Sequence, residues 1–516
     1  MMNPRLDRRG FLVLGGLSLA AAACGGDAKP GAPAPVPVAP TDPAVAAAEA
    51  GRLAPGRKPV AVRLKAAPVT LDLAGREVQT WAYGDGAGTT EIRAKKGDLL
   101  EATLVNDLPA ESTIHWHGIT IRNDMDGVSP VTQAPVMPGD SFTYRFALEH
   151  PGTYWYHPHI GLQADRGLYG PLIIEDPDDA TGAETEFVIV LDDWLDGLGT
   201  TPDEVLTALN PALSGHAGHA MTPDATMTPG HVMTPAPPSS AATALVSGAH
   251  GNSTPLGGMG GHIAYPLHLV NGRPPADRPT FTARAGAKIR LRIINAAAET
   301  PYRFAVGGHK LTVTHADGFP VEPVEADALV LGMGERYDVL LTPKSGAWPI
   351  MAAAEGKAGY AAAILRSSSS ASAPSVGSRP TELDGRLLSY ADLVPEGSAR
   401  LADRAPARDY RVELIGGTDR YVWGLAGADA AALRAVEGER IRITMRNSTP
   451  MWHPMHLHGH TFAIPGGARK DTVNILPGQD LAIEFDADNP GPWMFHCHNA
   501  YHFEAGMTAN LTYVRA

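Results

Sequence analysis

The segment from Trp493 to Met507 carries His496, Cys497, His498, His502 and Met507. Apart from Cys24, near the N-terminus, Cys497 is the only cysteine, so a chain processed at its N-terminus has no internal disulfide partner for it. On a β-strand successive side chains point to opposite faces, so His496 and His498 share one face and Cys497 takes the other. One strand can therefore serve two metal centres. On the cysteine side, His502 and Met507 follow in a loop, adding imidazole and thioether. Two imidazoles, a thiolate and a weak axial methionine make a blue-copper electron-transfer site; the second imidazole must come from elsewhere in the chain. Most free cysteines are small buried hydrophobes, which would leave the spaced His, His and Met unexplained. Structural zinc sites take two or more cysteines or a compact tetrahedral set, which this chain does not offer.

The elements that position these residues are written as a repeat. Gly97 to Asn106, Gly286 to Asn295 and Gly438 to Asn447 each open on glycine, alternate apolar residues and close nine positions later on asparagine. Eighteen and twenty positions after those glycines stand His115 and His117, then Phe304 and Val306, then His456 and His458. A second set begins at Gly139, Gly334 and Gly478, and the same count reaches His157 and His159, Ala352 and Ala354, then His496 and His498. Short strands rich in Val, Ile, Thr and Tyr, broken by Gly, Pro, Asn and Asp, are the pattern of β-sandwiches. The fold expected is all-β, with three sandwiches of which the middle one lacks ligands. The four H-x-H pairs offer eight imidazoles, too many for one metal, so a polynuclear cluster at the interface of the first and third domains is the expectation. His453 is left over to complete the Cys497 site.

The formal net charge of −13 excludes a surface built for nucleic acid, which needs clustered Lys and Arg. Residues 1–24 have an export pattern: Arg8-Arg9 before a short apolar run through Ala23, of twin-arginine type and too short to span a bilayer. Two fates fit the end of that run, lipidation of Cys24 as a membrane anchor or cleavage without it, and either places the protein in the periplasm or at the cell surface. Residues 25–59, rich in Pro, Ala and Gly, are expected to be an extended tether. The domains expected are 60–180, 181–366 and 381–516, with a Ser/Pro-rich linker at 367–380.

His115-Trp116-His117-Gly118, His157-Pro158-His159, His453-Pro454-Met455-His456-Leu457-His458-Gly459 and the His496-Cys497-His498 stretch together resemble the four copper motifs of three-domain multicopper oxidases, over residues 60 to 516. The resemblance implies three cupredoxin-like Greek-key domains and four copper ions: type 1 on His453, Cys497, His502 and Met507; type 2 on His115 and His456; one type 3 on His117, His157 and His498; the other on His159, His458 and His496. It further implies one-electron oxidation of phenols, aromatic amines or Cu(I) at the type 1 copper, and electron transfer through Cys497 to a cluster that reduces O2 to water. Asp126 matches the family's acidic residue near the type 2 copper. The pattern departs after His502, where bacterial cuprous oxidases of the family often carry Glu; here Phe503 stands there and Glu504 is the next acid. An axial Met507 implies a modest type 1 potential. A copper-sequestering protein with incidental oxidase activity is the alternative.

Between residues 201 and 265 the strand pattern gives way to an insertion with Met221-Thr222-Pro223, Met227-Thr228-Pro229 and Met233-Thr234-Pro235, accompanied by His216, His219, His231, His250, Met259 and His262. Thioether suits Cu(I) and imidazole either copper state, so this insertion is a candidate Cu(I) capture site.

Overall fold

The asparagine that closes each repeat explains why the same strand recurs three times. In the computed structural model, which describes residues 35–53, 56, 59–213, 237–247 and 251–515, the repeats are strands Leu99–Asn106, Ile289–Asn295 and Arg440–Asn447. Each pairs in parallel with the first long strand of its own domain: Pro59–Asp72, Thr185–Trp194 and Arg408–Gly417. The buried amide of Asn106 donates to the carbonyls of Ala110 and Val136, that of Asn295 to Thr300 and Leu331, and that of Asn447 to Met451 and Ile475. The second set of glycines meets the same residues: the Gly139, Gly334 and Gly478 amides donate to the carbonyls of Asn106, Asn295 and Asn447. An unpaired buried polar group costs about 1–3 kcal/mol, so an asparagine that satisfies two carbonyls ties strand end to loop in every copy.

Each domain is a sandwich of two sheets. The first stacks a sheet ordered Glu77–Tyr83, Pro59–Asp72, Leu99–Asn106, Ser141–Ala147 on one ordered Ile92–Lys95, Gly170–Glu175, Gly152–His157, His115–His117. The middle domain has six- and five-stranded sheets. The third has a six-stranded sheet through Arg440–Asn447 and a second sheet in which Thr508–Arg515, Pro492–Cys497, His453–Leu457 and Thr472–Ile475 are neighbours. The all-β, cupredoxin-like expectation is met.

Three stretches differ from the sequence reading. Within the expected tether, Pro43–Arg52 is a helix: Asp42 caps it, Pro43 opens it, and alanines fill it. It buries Val45, and Glu49 accepts from the Ala147 amide. Composition hid this, because one docked apolar residue suffices for a short alanine helix. The strand-free connection to the third domain runs past residue 380 to the strand that opens at Arg408, since residues 381–400 pack on the middle domain through bridges Ala328↔Leu387 and Val321↔Pro395. In the insertion, helices Pro202–Leu209 and Ser240–Val246 pack together, the first with a Thr201/Glu204 capping box. The three Met-Thr-Pro triplets and residues 1–24 lie outside the described residues.

Candidate metal centre

Strand pairing brings the histidines together. His115 is opposite His157 in the first domain, and His456 opposite His496 in the third. The two domains then interleave. The His115 ring stacks on His458 at 3.8 Å and His117 on His456 at 3.9 Å, while His159 lies 5.1 Å from His496 and His157 5.3 Å from His498. Each of these four first-domain imidazoles thus has a third-domain neighbour. At the matching positions of the middle domain, Phe304 is opposite Ala352, and both are buried as core.

The hydrogen bonds fix which nitrogen of each ring faces its neighbours, because a ring nitrogen that meets a carbonyl or carboxylate must donate. His115 Nδ1 donates to Asp126 Oδ1 (3.1 Å), His458 Nδ1 to Asp126 Oδ2 (2.9 Å), His157 Nδ1 to the Pro158 carbonyl (2.9 Å), His456 Nδ1 to the Asp471 carbonyl (2.8 Å) and His496 Nδ1 to the Cys497 carbonyl (2.9 Å). His117 is turned over, its Nε2 donating to Asp471 Oδ1 (3.0 Å). What remains inside is a set of lone pairs. His115, His157 and His456 Nε2, His117 Nδ1 and both nitrogens of His498 are buried without a partner, and His458 Nε2 faces His496 Nε2 at 2.9 Å. Two acceptors at that distance repel unless a cation lies between them. Burial holds His117, His157, His159, His456, His458 and His498 well below the usual imidazole range, and His496 at about 3, so these rings are neutral and ready to ligate.

The second group is His453, Cys497 and His502, whose ligand atoms lie within 4.8 Å of one another. Cys497 Sγ is 3.7 Å from Nδ1 of both histidines, which are 3.1 Å apart. The repeat builds this site too: Asn447 Oδ1 accepts from the Thr449 hydroxyl (2.8 Å), and that oxygen accepts from His453 Nε2 (2.8 Å), leaving His453 Nδ1 to face the sulfur. The Cys497 amide donates to the carbonyl of buried Met507 (3.0 Å). Burial pushes the Cys497 thiol up, so a metal must displace its proton. His502 is wholly buried beneath Trp423, at 4.3 Å between rings, with Tyr421 and His262 each at 5.9 Å. Soft thiolate with imidazoles in one group, and imidazoles alone in the other, both suit copper.

The family follows from comparison with known proteins. Models of the multicopper oxidase family match residues 65–179, 185–370 and 413–515, one for each sandwich. The chain is 42% identical to multicopper oxidase MmcO of Mycobacterium tuberculosis, over 99% of this chain and 97% of that one. The chain belongs to the multicopper oxidase family. It is 28% identical to copper resistance protein A of Escherichia coli, covering 85% of this chain and 90% of the relative. The crystal structure of the laccase from Botrytis aclada superposes with a TM-score of 0.68 at 26% identity, over 89% of this chain and 88% of that one. As a multicopper oxidase, the protein is an oxidoreductase that uses copper.

The acidic candidates are placed unequally. Asp126 bridges His115 of its own domain to His458 of the third. Glu504 ends the helix Ala500–Glu504, and its carboxylate has no hydrogen bond or ion pair among the described residues; burial pushes it up to about 7. Phe503 is the residue that faces the cluster, its ring 4.9 Å from His159 and 5.0 Å from His496. Sequence reasoning missed Asp471, which holds His117 and His456, and Thr449. A signal existed for Thr449: two positions after the repeat asparagine the first two copies have Leu108 and Ala297, and only the third has a hydroxyl.

Proposed function

We propose that this multicopper oxidase holds about four copper ions, takes single electrons from Cu(I) and from small phenols or aromatic amines, and reduces O2 to water. His453, Cys497, His502 and Met507 would hold type 1 copper; His115 and His456 type 2; His117, His157 and His498 one type 3; His159, His458 and His496 the other. When bound, copper supplies reversible one-electron chemistry at the first site and multi-electron reduction of O2 at the cluster.

The observation that carries this reading is the continuity of the strand that ends at Cys497. Its sulfur faces one group, while the residues on either side of it, His496 and His498, stand among the other. Three consecutive residues therefore join donor site to oxygen site through bonds alone. Asp126 accepts from two cluster histidines of different domains, so it keeps both rings turned inward and stands beside the oxygen chemistry as a proton-holding group. Phe503 packs its apolar ring against His159 and His496. His502, covered by Trp423 and Tyr421, receives electrons through their rings, which favours small donors over bulky ones. The relatives named for copper resistance support Cu(I) as a donor, and the arginine pair with its apolar run supports export to the periplasm or cell surface.

The test is steady-state oxygen uptake with a phenolic donor and with Cu(I), each titrated to a limiting amount. Consumption of about one O2 per four electrons supplied, with no peroxide released, is expected. Copper bound without oxygen uptake from either donor would leave a sequestering protein instead.

A further inference from the structure

The middle domain has no histidines at the ligand positions, yet one of its loops touches the cluster. Residues 332–336 follow the short strand Leu329–Leu331 and are held by the repeat, the Gly334 amide donating to the Asn295 carbonyl at 2.9 Å. Gly334 has φ +86, and a Cβ there would lie 3.0 Å from His117 Cε1 and 3.1 Å from His498 Cδ2. The glycine thus leaves the space in which two cluster rings stand. Two residues on, Arg336 is wholly buried and grips Asp471 with both terminal nitrogens, each at 2.7 Å. Asp471 in turn accepts from His117 Nε2 at 3.0 Å through its carboxylate and from His456 Nδ1 at 2.8 Å through its carbonyl.

All three domains meet at this contact. A Cβ on Gly118, the residue after His117, would lie 2.5 Å from both Arg336 Nη2 and Asp471 Oδ2, so the third-domain acid, the middle-domain base and the first-domain backbone leave no room for a side chain. Arg336 is itself fixed by the Thr153 carbonyl at 3.0 Å and the Gly334 carbonyl at 3.1 Å. A guanidinium fork sets the plane of a carboxylate, which a lysine ammonium cannot do. The plane matters because one oxygen of that carboxylate sets the His117 ring, and partners behind a ligating histidine fix its orientation and basicity.

Resting on the copper reading above, we propose that Arg336 and Gly334, in the domain without ligands, are positioning residues for the histidine cluster. Arg336 fixes Asp471, whose carboxylate orients His117 and whose carbonyl holds the type 2 ligand His456, and Gly334 keeps His117 and His498 at their spacing. The middle domain is thereby part of the oxygen site rather than a spacer.

The test compares Arg336→Lys with Tyr390→Phe in the full chain, reading the blue absorption, copper retention against a chelator and the electron paramagnetic resonance spectrum of type 2 copper. Tyr390 is a control at the same domain interface, donating to Glu335 and accepting from the Asn474 amide without touching Asp471. Arg336→Lys is expected to leave the blue band unchanged, to alter the type 2 spectrum and to weaken cluster copper about 10–100-fold. Tyr390→Phe is expected to alter neither. A wild-type type 2 spectrum and copper retention in Arg336→Lys would overturn the inference, as would equal changes in the two variants, which mark a merely structural interface. If Arg336→Lys gives no soluble protein, Asp471→Asn reads the same contact from its other side, with the same two outcomes. A wild-type protein lacking both signals would overturn the copper reading, and this inference with it.

Discussion

The Cys497 site and the histidine cluster share a strand but are assembled by different means. The ligands of the first, with Asn447 and Thr449 that set His453, belong to the third domain, and His262 of the middle domain packs against His502. The second draws half its imidazoles from the first domain, and its supporting acids Asp126 and Asp471 come from different domains. One site is thus a property of a single sandwich, and the other exists only where sandwiches meet. Damage to the two should therefore be separable, although Cys497 is bonded directly to two cluster residues.

The largest separation is expected from Cys497→Ser. It should abolish the blue thiolate-to-copper absorption and donor oxidation, while copper analysis still finds the cluster loaded, because no cluster nitrogen depends on the sulfur. Retained blue colour would refute the assignment. Asp126→Asn should act in the opposite sense. The blue band should persist while oxygen uptake falls about 10–100-fold, the usual cost of losing a partner behind metal ligands, measured on samples matched for blue absorption. Equal loss of both signals would mean that the two sites are not independent. The mildest test sets two copies of the repeat against each other. Asn295→Ala and Asn447→Ala each remove two hydrogen bonds to buried carbonyls and should cost about 1–3 kcal/mol in denaturant unfolding. Only Asn447→Ala, which also frees Thr449 and hence His453, should shift the blue absorption.

The sequence carried the repeat, the alternation of apolar residues and the H-x-H spacing, because a strand's period of two and a fixed loop length convert count into position. That is why Phe304 and Ala352 could be recognised as ligand positions filled by core. Asp471 and Arg336 could not be found in this way. They sit at no repeated spacing from the histidines, and their partnership of 135 residues' separation exists only once three domains have docked. The helix Pro43–Arg52 was hidden for a different reason: alanine and proline composition describes a tether and a capped helix equally well until Val45 is seen buried. Placing Glu504 beside Phe503 needed the direction of one short helix, which five residues of sequence do not set.

The most direct measurement is the copper content of the fully reconstituted chain with residues 214–236 deleted, which removes the three triplets together with His216, His219 and His231, alongside the same protein carrying Cys497→Ser. About four coppers per chain are expected for the first and about three for the second, the difference being the blue centre. Two or fewer coppers in the first, or no difference between the two, would contradict a single-domain blue site joined to a cluster at the domain interface.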